Sequence, residues 1–440
     1  MRPTVHTASL GRWVDPVDAW AALCRGRDAA FWLDSGAQAA SGVSYLGVAS
    51  SLTTDFGGPV LEWLRGQGFS ADTSAVASGF ALGWVGWLGY ELRGETMGVS
   101  VNRASRYPDA AWLFVDRCLA FDHASGAVTL LALGDVDGYR AEVEAALASV
   151  VELVEPVAIS TSLDHRDAAW AYTDTEYLAK IDACQAAIRE GEAYQLCLTT
   201  EARVDAHPDP FDTYLALREA SPTHHGALLV AGAIAVLSAT PEQFLTVSPH
   251  GVVTSKPIKG TRARGATPAS DAELRLELES SDKERAENLM IVDLMRNDIG
   301  RVSAVGSVTV TDLMAIESYA QVHQLVSTVQ GVLADGLTAI DAIEACFPAG
   351  SMTGAPKRSA TEILDSLEAR ARGIYSGAFG YLGLDGALDL AMVIRSIVID
   401  ADGCTIGTGG GITALSVPAE ELAEAKLKAA ALLRVLGVDG

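Results

Sequence analysis

The sequence predicts an α+β protein, and three observations carry that expectation. Strand-like stretches are joined by short turns, as at Ser248-Pro249-His250-Gly251 after Thr240 to Val247. Amphipathic helical patterns recur between the strands, clearest at Tyr177, Ile181, Cys184 and Ile188. The mix of hairpins and long helices favours this class over a doubly wound parallel sheet. At 440 residues the chain exceeds one core of ordinary size, so two domains or one large composite sandwich are the options.

From the N-terminus, Phe31-Trp32-Leu33-Asp34-Ser35-Gly36 reads as a strand entering a turn. Phe80 to Glu91 spaces Gly83, Gly86 and Gly89 among aromatics, which signals close backbone approach rather than a helix. Val128 to Leu133 is a strand after the Ala124-Ser125-Gly126 turn, and Gly138 to Val151 is helical. Glu155 to Arg166 loses periodicity and reads as a linker. Thr173-Asp174 caps the next helix, which Gly191 stops, and Tyr194 to Leu198 is a strand.

Composition excludes several classes. Lys and Arg number 32 against 56 Asp and Glu, a net charge of −24, which disfavours a nucleic-acid or anionic-membrane surface. An anionic small molecule in a local pocket remains compatible. The longest apolar run, Ala227 to Leu237, is broken by Gly232 and is too short to span a bilayer. The N-terminus has no apolar secretory core. The six cysteines are scattered without a CxxC pair, so the expectation is a reduced, cytoplasmic protein.

Four places look chemical. Glu284 and Glu287 lie three apart on a helix whose apolar side carries Leu289, Val292 and Met295. Glu421 and Glu424 repeat the spacing on a second helix, with Ser416 as cap and Pro418 in the first turn. Two such pairs could converge on a hard divalent cation, although solvated surface glutamates are the simpler explanation of spacing alone.

Lys259 follows the hairpin that Glu242 precedes. With Pro249-His250 as a two-residue loop, Glu242 opposes Pro257 and Lys259 is its diagonal neighbour, either as a reacting pair or as a salt bridge. A loop one residue longer would remove that contact. The glycine-rich stretch Thr405 to Ile412 could offer amides to a carboxylate, or simply turn. Ala349 to Lys357 opens a helix running through Leu367. His224-His225 reads as solvated, and His323 as either a core or a catalytic residue.

Together, PIKGTRARG, DKERAENLMIVDLMRNDIGRV, FPAGSMTGAPK, RGIYSGAFGY and GTGGGI with ExxExxxK at Glu421, Glu424 and Lys428 resemble the chorismate-utilising enzymes. The likeness is to the aminodeoxychorismate synthase branch of that family. It runs from about Asp174 to Leu436, and more weakly through the N-terminal third. It implies a large sandwich of two mainly antiparallel sheets with helices outside. Residues 1–155 would complete the sandwich, and 170–437 would form the chorismate-binding catalytic domain.

The resemblance implies roles as well. Mg²⁺ would be held by Glu284, Glu287, Glu421 and Glu424. Lys259 would be the nucleophile and Glu242 the acid, with His323 beside the ring. Gln195, Thr261, Ser351, Tyr375, Arg395 and Lys428, with the amides of Gly410 and Gly411, would bind chorismate. Ammonia would come from a separate glutaminase subunit in a heterodimer, and the product would feed para-aminobenzoate and folate biosynthesis. Gln195 stands where members that add water carry Lys, and PIKGT stands where anthranilate synthases read PIAGT. Ala425 and Ala239-Thr240 depart from the family pattern without removing a reacting group. Leu33-Asp34-Ser35 resembles a possible tryptophan site, with a packed turn as the simpler reading. The alternatives are anthranilate synthase component I and a catalytically silent chorismate- or tryptophan-binding regulator.

Overall fold

Strand pairing sets the architecture. In a computed structural model that describes residues 2–76, 79–150, 167–319 and 322–438, the described strands form two sheets, and every ladder between them is antiparallel. The first runs β1 (His6–Ser9), β8 (Ala127–Ala132), β7 (Arg117–Asp122), β3 (Val43–Val48) and β2 (Ala29–Asp34). It continues through β11 (His225–Ala231), β12 (Ile234–Thr240), β21 (Ser396–Asp400), β22 (Gly403–Ile412) and β10 (Gln195–Val204). The short β18 (Gly354–Ala355) and β9 (Ala169–Trp170) both pair with β10.

The second sheet runs β15 (Ile258–Ala263), β17 (Val322–Val332), β14 (Val252–Ser255), β13 (Gln243–Val247) and β20 (Leu388–Met392). It ends with β19 (Ala378–Gly383), β5 (Gly83–Leu88), β6 (Ala110–Val115) and β4 (Ser51–Thr53), while β16 (Thr309–Ser318) joins β17.

The sheets pack face to face over Phe31, Trp87, Leu113, Leu229, Phe379 and Val398. Helices cover both outer faces. Helices α1 (Pro16–Leu23), α4 (Val136–Val150), α6 (Pro210–Ala220) and α12 (Pro418–Val435) bury their apolar stripes on the first sheet. Helices α2 (Val60–Gly66), α8 (Asp282–Gly300), α9 (Ala339–Cys346) and α10 (Gly350–Thr353) do so on the second. The α+β expectation is met as a four-layer sandwich. A central strand buried on both faces reads as continuous apolar sequence. Accordingly the run Ala227 to Leu237 is the β11–β12 hairpin, turning at Gly232 with φ +63°. Among the described residues no helix is long and apolar enough to cross a membrane. The expected linker at 155–166 lies outside the described residues.

The cap expected at Thr173-Asp174 is Thr173, which forms a capping box with Glu176 and starts α5 (Asp174–Arg189). Three local expectations are corrected. On α8, Val292 and Met295 are buried but Leu289 is exposed. Buried Asn288 holds that face instead, its Oδ1 accepting from the Ser327 hydroxyl. Ser416 does not cap α12, because Pro418 at the first helical position makes Val417 the cap residue. The strand expected to stop at Leu198 continues to Val204, since Thr199 to Val204 pair against glycine-rich β22.

Candidate active site

Glu242 stands on the crossover where the chain leaves β12 in one sheet and enters β13 in the other. The hairpin that was expected to place Lys259 beside it has a different register. Thr246 pairs with Thr254 and Val247 with Val253, so the loop is Pro249-His250-Gly251. Gly251 takes the left-handed conformation (φ +76°) that a three-residue loop requires. β15 then pairs with β17, two strands away from β13. Lys259 therefore does not reach Glu242 as a cross-strand diagonal neighbour. Tertiary packing nonetheless brings its ammonium within electrostatic reach of Glu242, Glu287, Glu424 and the Cys197 thiol.

Burial pushes the Glu242 carboxyl above the ordinary carboxylate range. Lys259, the Ser351 hydroxyl donating to Oε1 at 2.9 Å, and Lys428 pull it part of the way back. Ser351 belongs to α10, the single turn before α11 (Lys357–Glu368); Pro356 keeps the two helices separate.

The two carboxylate pairs face one another across α8 and α12. Burial raises the Glu287 carboxyl, and Glu284 and Glu421 raise it further, while Lys259 and Lys283 oppose them. Among the described residues Glu287 has neither an ion pair nor a hydrogen bond. The other three have protein cations: Arg262 lies 3.4 Å from Glu284, Lys283 3.9 Å from Glu421, and Lys428 2.8 Å from Glu424. At Glu424, burial raises the carboxyl but Lys428, Lys283 and Lys259 outweigh it, leaving it below its usual value. Glu421 also accepts from the Ser416 hydroxyl at 2.7 Å. Among the described residues no three His, Cys, Asp or Glu side chains stand close enough to enclose a metal ion.

The glycine-rich strand β22 forms the floor. A Cβ on Gly407 would lie 2.0 Å from the Tyr375 ring, and one on Gly411 would lie 2.2 Å from Gln195 Nε2. Gly407 leaves the room that the Tyr375 ring fills, while a side chain at Gly411 would push the Gln195 amide aside. Gln195 is fully buried, yet neither its amide nitrogen nor its oxygen has a partner. An unpaired buried amide costs about 1–3 kcal/mol, so its place beside the glycine-rich strand calls for an explanation. Gly410 faces Glu421, and Lys428 donates to the Gly409 carbonyl at 3.0 Å.

Arg395 is held at φ +49°, a strained backbone for a non-glycine residue. Its guanidinium has no hydrogen-bond or ion-pair partner among the described residues. Burial lowers its pKa, against the opposing pull of Tyr375 and Glu424.

Two expected residues stand apart. His323 is buried, with Nδ1 bonded to Ser318 at 2.8 Å and Nε2 to Asp271 at 3.0 Å, so none of its hydrogen bonds reaches Lys259, Glu242 or the four glutamates. Thr261 is exposed on β15 opposite Gln324. Sequence reasoning missed Lys283, although its spacing of four from Glu287 was a readable signal.

At Leu33-Asp34-Ser35 the structure opens a cavity of about 590 Å³ where a packed turn was favoured. Asp34 itself is fully engaged by Gly36, Ser44, Tyr214 and Arg218. Both histidines line the cavity; His224 is exposed as expected, while His225 is half-buried and burial pulls its ring down to about 4. Asp389 also faces the cavity; burial raises its carboxyl to about 6, partly offset by Gln243 at 3.1 Å. An acid raised on folding contributes stability below its unfolded pKa and loses it as pH climbs through the folded value. Asp389→Asn, which keeps an acceptor for Gln243, should melt higher than wild type at pH 8 and nearly alike at pH 4. The ceiling is about 3 kcal/mol, from roughly two pH units at 1.36 kcal/mol each, less whatever cavity water screens. Equal melting temperatures at pH 8 would contradict the prediction.

The fold and site define a class of protein, and comparison agrees. The chain belongs to the chorismate binding enzyme family, whose sequence profile matches residues 24–434. It is 45% identical over 400 residues to aminodeoxychorismate synthase of Streptomyces griseus, covering 89% of this chain and 54% of that protein. The chain thus spans about half the length of the Streptomyces aminodeoxychorismate synthases it matches. It is 36% identical to anthranilate synthase component 1 of Streptomyces coelicolor, covering 98% of this chain and 88% of that one. The crystal structure of anthranilate synthase component I from Streptococcus pneumoniae TIGR4 superposes with a TM-score of 0.73 at 28% identity, covering 97% of this chain and 98% of that one.

Proposed function

We propose that the chain aminates chorismate at ring carbon 4 with ammonia, giving 4-amino-4-deoxychorismate with the enolpyruvyl group retained. The observation that carries this reading is Lys259 in electrostatic reach of an acid whose carboxyl burial raises above its ordinary range, Glu242, at a site lined by carboxylates. The 45% identity to an aminodeoxychorismate synthase supports it.

The Lys259 amine nitrogen adds to carbon 2, the ring double bonds shift, and the carbon–oxygen bond at carbon 4 breaks. Glu242 gives its proton to the departing hydroxyl, which leaves as water. Ammonia then adds at carbon 4, the double bonds shift back, and the lysine leaves carbon 2. Arg395, whose guanidinium has no hydrogen-bond or ion-pair partner among the described residues, takes the enolpyruvyl carboxylate together with the amides of Gly410 and Gly411. Tyr375 and Lys428 shape that side, Gln195 offers its unpaired amide, and Ser351 orients Glu242. Thr261 and His323 act from the rim, His323 by steadying β17 through Asp271.

Four carboxylates are the donor chemistry a hard cation takes, although they would have to leave their protein cations and draw together to enclose one, and the upward pressure on Glu287 is relieved by positive charge. Glu284, Glu287, Glu421 and Glu424 would hold Mg²⁺, which when bound supplies charge neutralisation for the ring carboxylate.

The test is to incubate the protein with chorismate, Mg²⁺ and ammonium and to identify the product by mass and ring-proton NMR. Anthranilate with pyruvate would favour the sister reaction, and unchanged chorismate the silent regulator. No cysteine in these 440 residues lies in a glutaminase-like GxCxGxQ elbow. Turnover should therefore need free ammonium and rise with pH as NH₃ becomes available. Glutamine should serve only with a separate glutaminase subunit added. Glutamine-dependent turnover by the chain alone would contradict this.

A further inference from the structure

Arg372 takes no part in the reaction outlined above, yet it is among the most completely bonded side chains near the site. It is buried, and Nη1 donates to the Met352 carbonyl at 2.6 Å. Nη2 donates to the Cys197 carbonyl at 2.8 Å. Nε and Nη2 form a fork on Glu368 at 2.8 and 2.7 Å. Glu368 in turn accepts from both the backbone N–H and the hydroxyl of Thr199. The guanidinium lies 4.3 Å from the Tyr90 ring centroid, and Glu91 accepts from the backbone N–H groups of Arg372 and Gly373.

The two carbonyls it joins belong to different layers of the site. Met352 follows Ser351 on α10, the residue whose hydroxyl donates to Glu242. Cys197 lies on β10, opposite Gly411 and two residues from Gln195. A planar guanidinium fixes direction as well as distance, which a flexible ammonium does not.

We propose that Arg372 is a positioning residue: by tying the end of α10 to β10 it holds the Ser351 hydroxyl on the Glu242 carboxyl. The inference rests on the reading of Glu242 as the proton donor. The groups facing Glu242 are Lys259 from β15, Lys428 from α12 and Ser351 from α10, and all three favour its ionised form. Losing the Ser351 bond therefore leaves Glu242 protonated to higher pH.

The test is the pH dependence of kcat/KM for chorismate in wild type, Ser351→Ala, Arg372→Lys and the double variant. Ser351→Ala should move the basic limb upward by about one pH unit. Arg372→Lys keeps the charge but not the fork; it should move the limb the same way and lower kcat about tenfold or more with little change in KM. The double variant should match the larger single shift. If Arg372→Lys does not fold, Glu368→Gln, which weakens the fork at constant size, is read by the same criteria. A wild-type limb in the folded Arg372 or Glu368 variant, an unmoved limb in Ser351→Ala, or additive shifts in the double variant would overturn the proposal. Absence of 4-amination by wild type would instead reject the reading of the site.

Discussion

Lys259→Ala should abolish 4-amino-4-deoxychorismate formation, and any residual amination should appear at carbon 2. With a lysine occupying carbon 2, the shifted double bonds leave carbon 4 as the position open to ammonia. Without it, direct attack at carbon 2 with loss of the 4-hydroxyl becomes the available route. The covalent step divides one displacement into two, so its loss should cost roughly a thousandfold in rate, about 4 kcal/mol of barrier. The fold should survive, since Lys259 makes no hydrogen bond or close ion pair among the described residues. Wild-type protein held with chorismate and no ammonium should carry an adduct on Lys259, read by intact-mass and peptide analysis. Wild-type rates of 4-amination by Lys259→Ala would show that the lysine only balances the charge of Glu242, Glu287 and Glu424.

Glu287→Gln and Glu424→Gln should each reduce turnover to the level seen with a chelator. Their reasons differ. Glu287 makes no ion pair among the described residues, although Lys259 and Lys283 act on it from further off, so its substitution removes a ligand and relieves repulsion from Glu284 and Glu421. Its folded pKa is raised, so the wild-type side chain loses stability as pH rises through that value, and Glu287→Gln should be slightly the more stable protein above it. Glu424 is paired with Lys428, and its substitution releases an ammonium toward the Gly409 carbonyl. Titration with Mn²⁺ followed by electron paramagnetic resonance should show weakened binding in both variants with unchanged circular dichroism. Full activity of either variant at limiting Mg²⁺ would sink the metal assignment.

Local chemistry was legible wherever neighbouring residues decide it. The cap at Thr173, the paired glutamates on two helices and the close backbone approaches at Gly83 and Gly86 follow from spacing and from glycine, whereas Thr405 to Ile412 is a long strand and not the turn that was the ordinary reading. Misreadings arise where a distant partner decides. The β13–β14 register depends on Gly251 accepting a left-handed conformation, which lengthens the loop by one residue. Leu289 and Asn288 exchange places because Ser327, 39 residues away, supplies the amide's partner. The cavity behind Leu33 needs walls from Tyr45, Tyr381 and Asp389, brought together only when the two sheets close. Arg372 reads from sequence as one more basic residue beside a glycine. Its importance lies in two carbonyls, and carbonyls leave no trace in a sequence.

The β2–β11 and β5–β19 ladders join the first third of the chain to the rest in the middle of each sheet. A chain beginning at residue 167 would expose one raw edge per sheet, along β11 and β19, both otherwise buried. Such edges invite pairing with any strand on offer, so the shortened chain should aggregate. Those same edges are templates of defined register for the missing piece. Fragments 1–150 and 167–440 produced together in one cell should therefore zip into a single particle, and the nicked protein should retain the whole site, because every reacting group lies on the second fragment.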